Sequence, residues 1–151
     1  MISRHKKKRL YESIRREVDS YPNYSISETI ILQGLMIAQE HLGNIIQLEQ
    51  ESIVSVERDK ELAREYRIVG RLYAGSARGF VKFKNPRKAA KYFNFASKAY
   101  LRSTYLVDNK DPSDKVSRYK DMADASRHIA AKKVIRQRCL KKWNFGLLGK
   151  L

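Results

Sequence analysis

A long apolar segment that contains no Lys or Arg constrains the fold of this chain more than any other feature. It runs from Ser25 to Leu48, and no Lys or Arg occurs between Glu17 and Glu57. Ser25 and Glu28 have the spacing of a capping box, which predicts the start of a helix. Apolar residues then occupy nearly every face of that helix, so neighbouring elements must bury it. Two compatible interpretations remain open, a core helix and a subunit interface.

Helix signals recur along the remainder of the chain. There are only seven Gly and three Pro, and apolar residues recur at steps of three and four, which is typical of helices. Asn85-Pro86 and Asp111-Pro112 each place a capping side chain before a Pro at the first helical position, so each predicts a helix start. The pattern predicts helices over about residues 10–18, 25–52, 57–83, 86–106 and from 111 onward.

The predicted domain organisation is simple. At 151 residues, the chain is long enough for one domain with a core of its own. We predict an all-α protein, a compact bundle of about five helices that carries a basic N-terminal arm and a basic C-terminal extension. The arm covers residues 1–9, the helical domain covers residues 10–143, and an apolar tail covers residues 144–151.

The charge of the chain is strongly segregated. The formal net charge is +16, and residues 66–107 contain ten cations and no carboxylate. A surface of mixed sign would serve solubility better, and concentrated positive charge destabilises the compact state unless an anion compensates it. The charge pattern therefore indicates a polyanionic partner, either nucleic acid or an anionic membrane. Membrane attachment is disfavoured because the apolar stripes contain Ala and Tyr, which suit helix packing.

The cations fall into rows and clusters. On the third and fourth helices they are offset by about two residues from the apolar stripe, which places them on the opposite side. We expect phosphate contacts from Arg67, Arg71, Arg78, Lys82, Arg87, Lys91, Lys98 and Arg102, from Lys6, Lys7, Lys8 and Arg9 in the arm, and from Lys132, Lys133, Arg136, Arg138, Lys141 and Lys142 near the C-terminus. Most aromatic residues lie on apolar stripes, which leaves Tyr92, Phe95 and Tyr105 for stacking on bases.

Residues 66–100 resemble a tetratricopeptide helix pair. The first helix of that family carries an aromatic, an aliphatic, a Gly and a Tyr at set steps, and the second carries an Ala, an aromatic and an Ala. The matching residues are Tyr66, Val69, Gly70 and Tyr73, followed by Ala89, Phe93 and Ala96. The resemblance implies an antiparallel pair packed through small residues that serves as a binding scaffold. It supports an alternative function, a helical module that docks an acidic protein partner.

Signals for catalysis are weak. The lone Cys139 excludes an internal disulfide framework and a cysteine-based zinc site. His5, His41 and His128 are scattered, and none has a carboxylate or Cys at metal-ligand spacing; His41 is best explained as a satisfied core or interface histidine. The segment 75–79 contains two Gly residues but lacks the Lys-Ser/Thr of a phosphate-binding loop. We predict that the protein is not an enzyme and that it uses no cofactor and no metal.

The function predicted from these patterns is binding of the nucleic-acid phosphate backbone. The absence of a helix-turn-helix signature or a zinc finger favours binding that is largely independent of sequence. We expect a structural subunit of a larger nucleoprotein assembly, such as a viral or phage nucleocapsid, a DNA-compacting protein or a ribonucleoprotein particle. DNA and RNA, and one strand or two, remain equally open. Homo-oligomers or neighbouring subunits are the expected protein partners.

The expected location is the interior of a cell or of a virion. No apolar segment of a secretory signal follows the basic N-terminus, so we do not expect secretion. The run without charges between Glu28 and Glu40 is too short to cross a bilayer, which needs about 20 apolar residues. A transmembrane protein is therefore not expected.

Overall fold

The computed structural model describes residues 2–20, 28–106 and 111–148. These residues form five helices and no strand, so the predicted all-α fold is confirmed. The helices are α1 (Arg4–Asp19), α2 (Glu28–Gln50), α3 (Val56–Lys82), α4 (Pro86–Leu106) and α5 (Asp111–Leu148). The predicted cap Ser25 lies outside the described residues.

The first helix begins earlier than predicted. Ser3 is the N-cap of α1, and its side-chain oxygen accepts a hydrogen bond from the backbone N–H of Lys6 at 3.3 Å. Residues 4–9, which belong to the predicted basic arm, therefore form the first turns of α1. The reason is local, because a Ser cap followed by good helix formers starts a helix even where every side chain is polar.

The core is centred on α3, which packs against α1, α2 and α4, while α5 covers α4 and α1. Phe93 and Met122 are fully buried there. The ring of Tyr119 stacks on Phe93 and on Tyr100, with centroids 6.2 Å and 5.5 Å apart. At Gly70 a Cβ atom would lie 2.9 Å from the Tyr100 ring. The close approach of α3 to α4 therefore requires glycine at this position.

The connection between α3 and α4 is a Schellman turn. The backbone N–H of Asn85 donates to the Phe80 carbonyl at 2.9 Å, and that of Lys84 donates to the Val81 carbonyl at 3.1 Å. Lys84 occupies the left-handed region at φ 56°, where glycine is usually found. The Asn85 side chain then accepts from the backbone N–H of Lys88 at 3.2 Å. The predicted helix start at Asn85-Pro86 is confirmed.

The apolar helix α2 is buried on only one side. Ile31, Ala38 and Ile45 are buried, and the main packing partner of α2 is α3. His41 Nδ1 lies 2.5 Å from Glu65 Oε2, a contact that ties the two helices together and agrees with the prediction of a satisfied histidine. The expectation that neighbours bury α2 on all faces is wrong within a single chain, because only α3 lies substantially against it. Among the described helices, none has the length and apolar character needed to span a membrane.

The last helix extends beyond the bundle. Tyr119, Met122, Ala123 and Ala125 of α5 pack in the core, whereas every residue from Ala131 to Trp143 is exposed. We call residues 131–148 the α5 extension. Residues 144–148 continue the helix, so this part of the predicted apolar tail is helical, and residues 149–151 lie outside the described residues.

Candidate nucleic-acid interface

Four cations form a ridge along the exposed side of α4. Arg87, Lys91, Lys98 and Arg102 are exposed and share one helical face, and we call this surface the α4 ridge. Phe93 on the same helix is fully buried, so the ridge lies opposite the packing face, as the spacing predicted. In the part of the chain that the structure describes, none of the four forms an ion pair.

Two cavities flank the α4 ridge, and Phe95 lines both of them. The first, of about 240 Å³, lies between α2, α3 and α4 and includes Tyr66, Tyr73, Lys98 and Arg102 in its wall. The second, of about 300 Å³, lies between α4 and α5. Its lining residues are Arg87, Ala90, Lys91, Asn94, Phe95, Arg127 and Ala130. An aromatic ring is therefore accessible beside the row of cations on either side.

The three aromatic residues predicted to stack on bases have different environments. Tyr92 stacks on Phe80, with ring centroids 5.4 Å apart and planes at 13°, so its ring is used in packing. Phe95 meets Tyr92 edge to face at 5.9 Å, and the ammonium group of Lys91 lies 5.8 Å from the Phe95 centroid. Tyr105 is 77% exposed. Tyr92 and Phe95 are both half-buried and contact neighbouring rings, but only Phe95 of these two lines the flanking cavities.

The predicted row of cations on α3 is only partly available to solvent. The Arg78 guanidinium lies 5.8 Å from the Tyr119 ring centroid, and its buried Nε atom has no hydrogen-bond partner. Arg67 is also half-buried, with Nε donating to a backbone carbonyl of its own helix. The expectation of a free row is therefore wrong for these two arginines. The physical reason is that α3 is central, so neighbouring helices cover more than its apolar stripe.

The other two members of that row differ in exposure. Arg71 is exposed but hydrogen bonds to the hydroxyl of Tyr100. Burial raises the pKa of Tyr100, and the hydrogen bond from Arg71 acts in the opposite direction. Because Tyr100 is on the buried side of α4, Arg71 lies away from the ridge. Lys82 is half-buried near the end of α3.

A second basic surface is concave and lies where α1, α5 and the α3–α4 turn meet. This cavity of about 530 Å³, which we call the basic basin, contains six cationic side chains and one carboxylate. Its lining residues are Lys8, Tyr11, Glu12, Arg15, Lys84, Pro86, Ile129, Lys132, Lys133 and Arg136. The carboxylate of Glu12 lies 3.9 Å from Lys8 Nζ. The Lys133 ammonium donates to the Lys84 carbonyl at 3.3 Å, which connects α5 to the turn.

The basic basin joins residues that the sequence placed in separate groups. Lys8 comes from the predicted arm, and Lys132, Lys133 and Arg136 come from the C-terminal cluster. Arg15 and Lys84 were missed by the sequence analysis, and both line the cavity. Arg15 follows Lys8 by seven residues, so helical spacing within α1 was a usable signal. Nothing local marked Lys84, because its position depends on how the turn meets α5.

The electrostatic effect of this crowding is visible at His128. Burial, followed by the nearby Lys132, Lys7 and Arg4, lowers the pKa of His128 from its ordinary value. Its Nε2 atom is buried without a hydrogen-bond partner. The half-buried Lys7 therefore adds to the positive potential between α1 and α5, next to the basic basin.

The remaining predicted cations lie outside both surfaces. Lys6 and Arg9 are exposed on α1, and Arg138, Lys141 and Lys142 are exposed on the α5 extension. Cys139, on the same extension, is an exposed free thiol. Within the described ranges, no group of three or more His, Cys, Asp or Glu residues is arranged to hold a metal ion.

The chemistry available at this interface is therefore that of cations and aromatic rings. The α4 ridge offers a row of cations beside Phe95, and the basic basin offers a concave cluster beside His128. Comparison of the chain with known protein families, with characterised proteins and with solved structures finds no match.

Proposed function

We propose that this protein binds the phosphate backbone of nucleic acid, without enzymatic chemistry, as a structural subunit of a larger nucleoprotein assembly. The assembly would be a viral or phage nucleocapsid, a DNA-compacting complex or a ribonucleoprotein particle. One observation carries the proposal. The α4 ridge and the basic basin together hold ten cationic side chains. Of these ten, only Lys8 and Arg15 form ion pairs with carboxylates among the described residues.

A phosphate polymer would supply the anions that the fold lacks. Crowded cations repel one another and oppose the compact state. When they contact phosphates, this repulsion is relieved, and the counterions condensed on the nucleic acid are released into solution. The entropy of that release drives binding and makes it depend strongly on salt.

The shapes of the two surfaces favour binding that does not depend on base sequence. Reading of bases in a duplex requires side chains held against the base edges in a groove. The α4 ridge instead presents cations in a row along one helix, with Phe95 beside them. Aromatic stacking tolerates any base, because every base has a π-face. We therefore expect the ridge to follow a single strand and the basic basin to contact backbone phosphates of either form.

The experiment is a salt titration of binding to labelled duplexes and single strands of DNA and of RNA, each in two unrelated sequences. If six to ten phosphates are contacted, affinity should fall by about 10³–10⁵ between 50 and 200 mM salt. The two sequences of each type should bind alike. Binding that is insensitive to salt would overturn the proposal.

The same titration is repeated with polyglutamate of matched length, which tests the alternative function. An acidic polypeptide that binds more tightly than nucleic acid at equal salt would instead support a tetratricopeptide-like module for an acidic protein partner. Purification without nuclease gives an independent measurement. The proposal expects absorbance near 260 nm to accompany the protein and to be lost on nuclease treatment.

A further inference from the structure

The solvent side of α2 carries a stripe of mainly apolar residues that no other described helix covers. Leu32, Met36, Gln39, Gly43 and Ile46 follow one another at steps of four and three, which places them on one side of the helix. Leu32 is 55% exposed, Met36 64% and Ile46 54%. We call this stripe the α2 face. Leu32 and Met36 are neighbours on this face, and Gln39 and Gly43 lie between them and Ile46. Large apolar side chains exposed together on a small protein are typical of an interaction site.

The charge of the α2 segment itself is opposite in sign to the net charge of the molecule. No Lys or Arg occurs from Glu28 to Glu57, whereas five carboxylates do. Glu40 lies within the exposed stretch of α2, and Glu51 follows its C-terminal end. On a chain with a formal charge of +16, this is an apolar surface with an acidic border. Its complement is an apolar surface with a basic border.

The α5 extension has that complementary character. Ile135 and Trp143 are 60% and 72% exposed, and with Cys139 they recur at steps of four, which gives one stripe along the helix. Cations are interleaved along it, among them Arg138 and Lys142. No carboxylate occurs after Asp124.

The two complementary surfaces cannot meet within one molecule. The main packing partner of α2 is α3, whereas α5 packs on α4 and α1. The helix α5 is continuous from Asp111 to Leu148, so the α5 extension does not fold back towards the α2 face of its own chain. A second copy of the chain can present the missing surface.

We propose that the α5 extension of one copy docks on the α2 face of the next. Apolar side chains would meet in the centre, and Arg138 and Lys142 of the α5 extension, which lie outside the basic basin, would face the carboxylates around α2. The contact joins two different surfaces, so it is heterologous and leaves one of each free at the ends, which allows a ring or a filament to grow. This inference specifies the assembly part of the proposed function and rests on it for its biological context.

The test uses full-length protein freed of nucleic acid by nuclease and high salt, so that self-association is measured separately from phosphate binding. Sedimentation velocity is recorded over a range of concentrations. One variant, Met36→Lys, places a cation on the α2 face; the other combines Ile135→Ala with Trp143→Ala. Each alone should raise the concentration needed for self-association by tenfold or more.

Mixing the two variants provides the decisive measurement. Each retains one intact surface, so the mixture should form a heterodimer that grows no further. Ser13→Lys adds the same charge at an exposed position on α1, and Val134→Ala truncates an apolar residue off the stripe of the α5 extension. Both controls should associate like the wild type, and circular dichroism should show that every variant keeps its helix content.

Three results would overturn the inference. Wild-type protein could remain monomeric at every concentration tested. The α5 variant could still self-associate while Met36→Lys does not, and mixing the two variants could fail to restore association of Met36→Lys. That result would indicate a contact between the α2 faces of two copies. Alternatively, neither variant could alter association. Retained salt-dependent binding of nucleic acid by both variants would leave the proposed phosphate binding intact in each case.

Discussion

The α4 ridge and the basic basin both concentrate positive charge, but they are constructed in different ways. The ridge takes Arg87, Lys91, Lys98 and Arg102 from one helix and presents them along its exposed side. The basin takes its six cations from α1, α5 and the α3–α4 turn and arranges them around a cavity. The ridge adjoins an accessible aromatic ring, whereas the basin has the apolar floor of a cavity.

This difference in shape predicts a difference in role. Cations that converge on a cavity give a stronger local potential than the same number spaced along a helix. The basic basin should therefore account for much of the salt-dependent affinity for any phosphate backbone. The α4 ridge should account for the preference between single strands and duplexes, because only there do cations adjoin Phe95 on an open surface.

The largest expected effect comes from removing three cations from either surface. The basin variant combines Lys132→Gln, Lys133→Gln and Arg136→Gln, and the ridge variant combines Arg87→Gln, Lys91→Gln and Lys98→Gln. If all three side chains contact phosphate, the basin variant should lower the slope of log affinity against log salt by about 2.7 for a duplex, and the ridge variant should lower it by about 2.1 for a single strand. At 50 mM salt, relative to 1 M, these slopes correspond to a loss on the order of 10³ in affinity.

The comparison between the two variants tests the proposed division of roles. The basin variant should weaken duplex and single-strand binding alike, and the ridge variant should weaken single-strand binding more. Lys60, Arg64 and Lys120 are exposed cations outside both surfaces, and their triple Gln variant should bind nearly as the wild type does. An unchanged salt slope in either test variant would exclude that surface from phosphate contact.

A smaller effect is expected from the aromatic ring beside the α4 ridge. Phe95→Leu keeps an apolar side chain against Tyr92 and Tyr73 but removes the π-face. Stacking on one base contributes about 1–3 kcal/mol, so single-strand affinity should fall by roughly 5- to 100-fold while duplex affinity stays within twofold. Phe83→Leu, at an exposed aromatic outside the cavities, is the control. Equal losses on both substrates would contradict stacking by Phe95.

The third effect concerns Lys84, where stability and binding should change in opposite directions. A residue other than Gly in the left-handed region costs about 1 kcal/mol, and Lys84 occupies it at φ 56°. Lys84→Gly should raise the free energy of unfolding by about 0.5–1 kcal/mol, measured by urea denaturation. The same change removes one cation from the basic basin, so the salt slope for a duplex should fall by about 0.9.

A second substitution at this position separates the two causes. Lys84→Ala also removes the charge but keeps a side chain in the left-handed region. It should therefore bind like Lys84→Gly and show no gain in stability. Stabilisation by Lys84→Gly without weaker binding would remove Lys84 from the interface and leave it a conformational feature of the turn.

The contrast between the two surfaces also explains which features the sequence predicted. The α4 ridge was predictable because its members share one helix, and Asn85-Pro86 marks where that helix begins. The basic basin was not predictable, because its cations come from distant parts of the sequence, for example Lys8 and Lys133. Periodicity relates residues within a helix, whereas the basin depends on how helices meet. As a capping residue, Ser3 also marks the start of α1 in the sequence.

Two errors have the same origin in tertiary packing. Spacing placed Arg78 opposite the apolar stripe of α3, but that helix is central, and Tyr119 covers the guanidinium. The hydrophobicity of α2 predicted that the helix is buried, but it carries no information on whether the same chain or another molecule covers it. Ile31 packs within the bundle while Met36 is 64% exposed. In both cases the sequence pattern predicts the helix correctly, but the packing of the neighbouring helices decides which of its side chains are exposed.

The smallest expected effect is a pH dependence centred on His128. Burial, and then Lys132, Lys7 and Arg4, lowers its pKa, whereas in the unfolded chain it titrates near its ordinary value of about 6.5. As pH falls below about 6.5, the unfolded state takes up the proton first, so folding stability decreases until the pH reaches the lowered pKa of the native state. His128→Gln removes this contribution. Relative to that variant, the wild type should lose stability between pH 7.5 and pH 5, measured by urea denaturation.

The same histidine distinguishes the two surfaces in the bound state. Phosphates held by the basic basin would offset Lys132 and Lys7 and so raise the pKa of His128, and proton uptake would then accompany binding. Duplex affinity should therefore increase modestly as pH falls from 7.5 to 5.5 in the wild type and in the ridge variant, and less in His128→Gln. The basin variant, which lacks Lys132, should show a weakened dependence as well. A pH response that is equal in the wild type and in His128→Gln would place the bound phosphates away from the basin, and it would leave the α4 ridge as the main contact.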